Sequence, residues 1–347
     1  MLSALTEYKW FDRKILVGLT NKRVFMFRSI RSAVVLFGLL AGVQSAQANV
    51  VVVLNSRDAT VQLLDQESYK SLQTFPVGKE PHHLMATPDN KSLIVASAVG
   101  NELLFLDPVS GQVQRHVKDI LDPYQIGFSP DQKWFVATSL RLHRLDIYSY
   151  NGKEMTLAKR IPLPKLPSHV AFDAKSSTVF VTQQGSDQVS AIDLKTQNVL
   201  WTIPVGKLPA GIAMTPDDKY LLVGIMGSDY VEVIDWRTRS TVKRIKAGAG
   251  THNFRALGDG RYTYVSNRVS NTINIIDQKT LENVGTIDVP GGPDCMEITA
   301  DRKTMWVTLR WIKKVAVIDL PSRKVVKLIP VGRSPHGVFF ANSSARM

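Results

Sequence analysis

Short apolar phrases that end in an aspartate recur along the chain at a nearly constant spacing. Six of them follow the pattern apolar-x-apolar-apolar-Asp and end at Asp65, Asp107, Asp193, Asp235, Asp277 and Asp319. Successive phrases lie 42 residues apart, except for one interval of 86 residues. That interval divides into 42 and 44 when LDIYS, which ends at Ser149, takes the missing place. Seven copies of one unit therefore fit the chain.

Two further sets of residues keep the same register. The first set is Asp89, Asp131, Asp217, Asp259 and Asp301, and Lys175 occupies the equivalent position of the fourth copy, between Asp131 and Asp217. The second set is Pro81, Pro123, Pro167, Pro209, Pro293 and Pro335, interrupted by Thr251. The apolar phrases and the first set together place the two additional residues of the long copy between Ser149 and Lys175.

Each copy predicts four short β-strands. In the copy that starts at Pro81, the segments HLMAT, SLIVAS, ELLFLD and VQRHV are separated by turn-forming residues such as PDNK and PVSG. No segment after residue 48 shows an amphipathic helix period. Four strands per copy, repeated seven times, predict an all-β fold, a seven-bladed β-propeller with four-stranded blades. The aspartates that end the apolar phrases are expected to cap turns.

The two ends of the repeat region complement each other. Residues 50–78 hold the second, third and fourth strands of a copy, whereas PHGVFFAN, residues 335–342, supplies a first strand alone. We therefore expect the C-terminal strand to join the N-terminal blade and to close the ring. Closure removes exposed sheet edges, so deletion of this strand is expected to unfold the protein.

The N-terminus has the composition of a secretory signal peptide. Basic residues precede the apolar run AVVLFGLLAGV, and Ala46 and Ala48 follow at the spacing of a cleavage site. This pattern predicts a signal peptide over residues 1–48, with Met26 as an alternative start, and a propeller over residues 49–347. The prediction makes the mature protein periplasmic, without a membrane span. A membrane-anchored N-terminus is the alternative.

Charge and cysteine content exclude some functions. Removal of the leader, with its seven Lys/Arg and two Asp/Glu, lowers the formal net charge from +13 to +8. The remaining charge is dispersed, which does not favour nucleic acid as a partner. Cys295 is the single cysteine, so the chain has no internal disulfide and cannot bind c-type haem through a CxxCH motif. No nucleophile elbow, HExxH or P-loop motif is present. The protein is expected to be a monomer.

Residues 261–290 resemble the YVTN-repeat β-propeller family, with Tyr264-Val265-Ser266-Asn267 in the eponymous position. The resemblance extends from about residue 50 to residue 342 and is specific for the fold. It implies an exported propeller. The same architecture resembles the haem d1 propeller of cytochrome cd1 nitrite reductase and the copper-bearing propeller of nitrous oxide reductase.

Histidines concentrate at one position of the repeat. The two places after the proline of each copy hold five of the seven histidines, namely His82, His83, His169, His252 and His336. These places begin the innermost strand, so they are expected to surround one mouth of the central channel. Asp294 and Cys295 occupy the same places in their copy. Because imidazole, carboxylate and thiolate bind transition metals, these seven residues are candidate metal ligands.

A second group of residues is expected near the same mouth. Tyr124 follows a proline of the repeat, and loops between second and third strands carry Arg141, His143, Arg268, Arg310 and Trp311. Arginines and an aromatic ring beside imidazoles suit an anionic, planar ligand. These six residues are candidate cofactor-binding residues, and copper, another transition metal or a haem d1-like tetrapyrrole are the candidate cofactors.

The histidines also have a structural interpretation. Each could hydrogen-bond the backbone of a neighbouring blade, and Cys295 could be an inert buried thiol. Since side chains alternate along a strand, His82 and His83 cannot both face the axis unless the loop twists.

Two functions follow from these observations. The first is a non-enzymatic binding or scaffold protein that serves a periplasmic redox or cofactor-handling partner. The alternative is an enzyme, a d1-haem-like oxidoreductase or a lactonase-like hydrolase, that uses the same funnel.

Overall fold

A computed structural model describes residues 49–345. The signal-peptide prediction for residues 1–48 lies outside this range. The described chain forms 28 β-strands in seven four-stranded antiparallel sheets, which confirms the all-β, seven-bladed prediction. Within residues 49–345, no helix has the length and apolar character needed to cross a membrane.

The strands follow one another from the inner to the outer edge of each sheet. Blade 1 contains β1 (Val50–Asn55), β2 (Thr60–Asp65) and β3 (Ser71–Pro76). Blade 2 contains β4 (Pro81–Ala86), β5 (Leu93–Ser97), β6 (Glu102–Leu106) and β7 (Val113–Lys118). Blade 3 contains β8 (Pro123–Phe128), β9 (Trp134–Ser139), β10 (Arg144–Tyr150) and β11 (Met155–Pro162). Blade 4 contains β12 (Pro167–Phe172), β13 (Thr178–Gln183), β14 (Gln188–Asp193) and β15 (Val199–Pro204).

The remaining blades repeat this order. Blade 5 contains β16 (Pro209–Met214), β17 (Tyr220–Ile225), β18 (Tyr230–Asp235) and β19 (Ser240–Lys246). Blade 6 contains β20 (Thr251–Ala256), β21 (Tyr262–Asn267), β22 (Thr272–Asp277) and β23 (Glu282–Asp288). Blade 7 contains β24 (Pro293–Ile298), β25 (Thr304–Leu309), β26 (Lys314–Asp319) and β27 (Lys324–Pro330). The last strand is β28 (Pro335–Phe339).

Strand β28 completes blade 1 and so closes the ring. It pairs antiparallel with β1, with Val52 opposite Phe339 and Val53 opposite Val338. The sheet order is β28-β1-β2-β3, as the incomplete copies at the two ends predicted. The first strand of every blade contacts the first strands of both neighbours, and together these seven strands line the central channel.

Side-chain caps explain why the repeated aspartates keep their spacing. Asp107 Oδ1 accepts hydrogen bonds from the backbone N of Val109 at 3.0 Å and of Ser110 at 2.7 Å. The equivalent turn of five other copies is capped in the same way, by Asp65, Asp193, Asp235, Asp277 and Asp319. The predicted turn-capping role is confirmed. The two additional residues of the long copy lengthen the hairpin of β10 and β11, which has seven and eight residues.

The hydrophobic core is divided into layers that lie between neighbouring blades. The second and third strands of each blade are almost fully buried, and their alternating side chains pack on the blade before and the blade after. Between blades 7 and 1, for example, Trp306 packs with Val51, Val53 and Phe340. Seven such apolar clusters surround the channel, one at each junction.

Candidate metal centre in the central channel

A β-bulge at the start of each inner strand lets consecutive side chains enter the channel. In blade 2, Pro81 lies opposite Ser97 and Leu84 lies opposite Val95, so two residues of β4 face one residue of β5. The residue before the bulge, Glu80, has a positive φ of 53°. This extra residue breaks the alternation of the strand. His82 and His83 therefore both reach rings from other blades, and the other six inner strands show the same register shift.

The five predicted histidines and Tyr124 form one continuous cluster of rings. The His82 ring lies between His336, at a centroid distance of 3.7 Å, and Tyr124, at 4.1 Å. His83 contacts His169 at 5.4 Å, and His169 contacts His252 at 5.1 Å. Side chains from five blades thus meet in the channel, where His82, His169, His252 and His336 are each at most 3% exposed.

Asp294 is the charged centre of the cluster. Its carboxylate is fully buried and accepts hydrogen bonds from Arg268 Nη2 at 2.5 Å and from Asn253 Nδ2 at 2.8 Å. Three more nitrogen atoms lie close to it: His252 Nδ1 at 3.1 Å, Arg310 Nε at 3.6 Å and His336 Nε2 at 3.6 Å. One carboxylate therefore orients side chains from blades 1, 6 and 7.

Cys295 lies beside this carboxylate. Its Sγ is 3.5 Å from His336 Nδ1 and 3.5 Å from Asn253 Nδ2, while its backbone N donates to Thr308 Oγ1 at 3.1 Å. The sequence interpretation did not single out Asn253, although it occupies the same repeat position as the predicted residues. Only the adjacent His252 was predicted as a ligand, because imidazole is a stronger sign of metal binding than an amide.

The hydrogen bonds of the histidines use mainly the Nδ1 atoms. His83 Nδ1 lies 2.8 Å from the carbonyl oxygen of Tyr124, and His169 Nδ1 lies 3.0 Å from Ser168 Oγ. A carbonyl can only accept, so Nδ1 of His83 carries the proton and Nε2 of the neutral ring carries a lone pair. The Nε2 atoms of His83, His169, His252 and His336 are buried and have no hydrogen-bond partner within residues 49–345.

Burial sets the protonation of these groups. It lowers the pKa of His83 and of His252 to about 4. Burial also lowers the pKa of His82, His169 and His336 well below the usual value. Although burial opposes ionisation of Asp294, Arg268 and the nearby imidazoles hold its pKa well below the usual range. At neutral pH the cluster therefore holds neutral imidazoles and an ionised carboxylate.

Two sets of three side chains bring their ligand atoms within 4.8 Å of one another. One set is His82, His83 and His336, and the other is Asp294, Cys295 and His336. His336 belongs to both sets, which together connect five of the seven candidate ligands, whereas His169 and His252 belong to neither set. This spacing is compatible with a single metal ion, since zinc or copper is bound at about 2.0–2.3 Å by each ligand.

Three other predicted residues lie on the rim of the channel mouth, outside the ring cluster. Arg141 pairs with Asp122 at 2.6 Å and with Glu80 at 3.1 Å. His143 is exposed, and its Nδ1 accepts a hydrogen bond from the backbone N of Leu166 at 3.2 Å. Trp311 is 56% exposed. Among the described residues, none of the three joins the ring contacts or ion pairs of the cluster, whereas Arg268 and Arg310 do.

A closed ring of seven four-stranded antiparallel sheets defines the β-propeller class of protein. The sequence model of the YNCE-like beta-propeller family matches residues 26–346. The chain belongs to this family, which agrees with the predicted resemblance to repeat propellers. No curated protein matches the sequence at a significant level.

Solved structures with this architecture have varied roles. Dihydro-heme d1 dehydrogenase NirN in complex with DHE is similar at a TM-score of 0.65 and 18% identity, over 84% of this chain and 75% of that chain. A functionally unknown protein from Desulfotomaculum acetoxidans matches at 0.73 and 14%, over 84% and 99%. A putative 6-phosphogluconolactonase from Bacteroides uniformis matches at 0.68 and 15%, over 84% and 99%. At these identities the similarity shows the fold alone.

Proposed function

We propose that the protein is an exported, non-enzymatic β-propeller that binds one transition metal ion in the histidine cluster of its channel. The observation that carries this proposal is the set of four buried Nε2 atoms without a hydrogen-bond partner in the described chain. An unpaired buried polar group costs about 1–3 kcal/mol. Four of them in one cluster are an expensive arrangement for packing alone, and a cation held by His82, His83 and His336, whose ligand atoms lie within 4.8 Å of one another, would relieve part of this cost.

The structural interpretation of the histidines does not account for the Nε2 atoms of His83, His169, His252 and His336. An inter-blade role is visible at Nδ1 of His83, which contacts the backbone of blade 3. Metal-binding histidines commonly use one nitrogen for such an orienting contact and the other for the metal. His252 Nδ1 lies 3.1 Å from Asp294 Oδ1, near enough for such a pair but without hydrogen-bond geometry. The geometry therefore favours a ligand role in addition to an inter-blade role.

The type of donor selects the class of metal. Imidazole nitrogens and one thiol suit copper or zinc, whereas calcium and magnesium prefer oxygen ligands. The neutral histidines need no deprotonation before they bind, because burial already holds their pKa values low. A bound ion would add positive charge next to Asp294, and this carboxylate would offset only part of it because Arg268 and Arg310 already lie beside it.

The spacing of the rings favours an ion over a tetrapyrrole. Ring centroids 3.7–5.4 Å apart are in van der Waals contact, so a macrocycle would have to lie on the rim side of the cluster. The similarity to NirN supports a haem d1-like ligand at the level of the fold only. A Soret band in the purified protein would support the tetrapyrrole and with it the enzyme alternative.

Metal titration of tag-free protein tests the proposal. After removal of metal with a chelator, we expect zinc or copper(I) to bind in a ratio of one per chain by isothermal titration calorimetry and elemental analysis. His83→Phe and His336→Phe should each weaken this binding at least tenfold, because His83 belongs to one ligand set and His336 to both. His116→Phe is the matched control, because His116 lies on an outer strand, half-exposed, beside Glu102. Equal affinity in all four proteins would contradict the proposal.

Export is tested separately. N-terminal sequencing of the secreted form should give Asn49 as the first residue.

A second candidate function is docking of a periplasmic redox or cofactor-handling protein at the channel mouth. Large apolar side chains stand exposed on the rim: Val99, Leu142, Val269 and Trp311 are 45–62% exposed. Exposed apolar patches mark interaction surfaces. Cross-linking to a partner should be lost in Val269→Asp and retained in Val326→Asp, whose parent side chain is 56% exposed on the outer strand of blade 7.

A further inference from the structure

We infer that Arg268 and Arg310 form a binding site for a small carboxylate anion on the mouth side of the histidine cluster. The inference deepens the proposed function and rests on it, because the anion would lie beside the proposed metal ligands. It concerns an anion bound next to the proposed metal ion, which the imidazoles themselves do not indicate.

The charges of this region do not balance. Arg268 Nη2 and Arg310 Nε both point to the same carboxylate, Asp294, at 2.5 Å and 3.6 Å. Asp294 also accepts from Asn253 and lies close to two imidazoles. Two guanidinium groups therefore share one carboxylate that is already heavily used. A protonated histidine or a bound metal ion would increase the positive excess.

The two guanidinium groups have donors to spare. Arg268 Nε and Arg310 Nη1 are buried and have no hydrogen-bond partner in the part of the chain that the structure describes. The distance of 3.6 Å from Arg310 Nε to Asp294 is longer than a hydrogen bond. Arg310 is thus held near the cluster without a strong partner of its own.

A buried arginine on an inner strand provides a comparison, because acceptors surround its guanidinium group. Arg255, on β20, donates to Glu297 Oε1 through two nitrogens at 2.9 Å and 2.6 Å. It also donates to the carbonyl oxygens of Ala256, Ser344 and Ala345. Arg255 has a structural role that ties the C-terminal segment to the ring. Arg268 and Arg310 lack such a set of acceptors, which is what a ligand would supply.

The site can be reached from the mouth. The side chains of Arg268 and Arg310 are 17% and 23% exposed, whereas the carboxylate between them is fully buried. Trp311 lies on Gly292, where an added Cβ would come within 2.6 Å of its ring, and so covers one side of the rim. A guanidinium matches a carboxylate by two parallel N–H···O bonds. The close packing of the rings below favours a small anion over a planar macrocycle.

Calorimetric titration of metal-free protein with formate, acetate and oxalate tests this inference, with chloride and phosphate for comparison. We expect at least one carboxylate to bind, and Arg310→Gln to weaken it at least tenfold. Arg310→Lys keeps the charge but not the two-pronged geometry, and should weaken binding less. Arg237→Gln is the control, because Arg237 pairs with Asp218 on an exposed turn, and it should bind carboxylate as the parent protein does.

Three results would overturn the inference: no binding of any carboxylate, equal binding by Arg310→Gln, or equal binding of chloride. Zinc titration of the same variants separates the two proposals. If the metal site fails but the carboxylate site holds, zinc will not bind while carboxylate still does. If only the carboxylate site fails, Arg310→Gln will bind zinc as tightly as the parent protein and no carboxylate will bind to either.

Discussion

The apolar layers between the blades and the polar cluster in the channel are both buried, yet they are built by opposite rules. In the layers, valine, isoleucine and leucine fill the space between neighbouring sheets. In the cluster, imidazoles, a carboxylate and guanidinium groups meet, and several nitrogens have no partner within residues 49–345. The comparison teaches that stability comes from the layers and that the cluster costs stability, as is common at binding sites.

Blade 5 shows how strictly the channel is packed. At the repeat position that holds histidines elsewhere, it carries Ala210 and Gly211. A Cβ on Gly211 would lie only 1.9 Å from the backbone carbonyl oxygen of His252. A side chain at position 211 would clash, because the backbone of the neighbouring inner strand lies against Gly211. The cluster is therefore confined to the other blades.

Loss of the closing strand should have the largest effect on the layers. A chain that ends before Pro335 lacks His336, Val338 and Phe340, which are buried against blades 1 and 7. The ring would then have an open edge at β1. We expect no cooperative thermal transition and rapid proteolysis. A truncated chain that melts like the full chain would contradict the closure.

A pair of tryptophans separates the layers from the rim. Trp306 is 1% exposed between blades 7 and 1, and Trp311 is 56% exposed at the mouth. Trp306→Ala should lower the unfolding free energy by about 3–5 kcal/mol because it opens a cavity. Trp311→Ala should change it by no more than about 0.5 kcal/mol. Urea denaturation of both variants measures the contrast, and similar losses would refute it.

Acid should act on the cluster and leave the layers unaffected. The pKa values of His83 and His252 are about 4 in the folded protein, below the ordinary value of 6.5. Between these values the unfolded chain binds more protons, so stability is full above pH 6.5 and falls as the pH is lowered toward 4. Each of these histidines should contribute a slope of about 1.4 kcal/mol per pH unit.

Urea denaturation of metal-free protein at several pH values between 4 and 7 measures this slope. His83→Gln should reduce it by the contribution of one histidine. His116→Gln is the matched control, because it makes the same substitution on a half-exposed outer strand outside the cluster. An unaltered slope in His83→Gln would show that its imidazole titrates normally in the folded state.

Much of the fold could be predicted from the sequence, because the repeat period gives the position of every strand and turn. The aspartate that caps the third-to-fourth strand turn in six of the seven blades and the incomplete copies at the two ends are local signals, and they specify the blade and its closure. The convergence of His82, His83, His169, His252 and His336 also followed from the repeat position. These features depend on period and chemistry alone.

Other features of the site depend on backbone detail that the sequence does not reveal. The alternation rule did not anticipate the bulge that turns both His82 and His83 inward. Arg141, His143 and Trp311 lie in loops identical or equivalent to those that carry Arg268 and Arg310, but they stand further from the end of the second strand and lie on the rim. The contacts of Asn253 with Asp294 and Cys295 likewise required coordinates.

The most direct test of the central claim is anomalous diffraction from crystals of the protein loaded with one equivalent of zinc, recorded on both sides of the zinc absorption edge. The metal-binding account predicts one strong anomalous peak in the channel, within ligand distance of imidazole nitrogens of the histidine cluster. Anomalous peaks only at surface residues such as His116 or His143, with the channel free of metal, would contradict it.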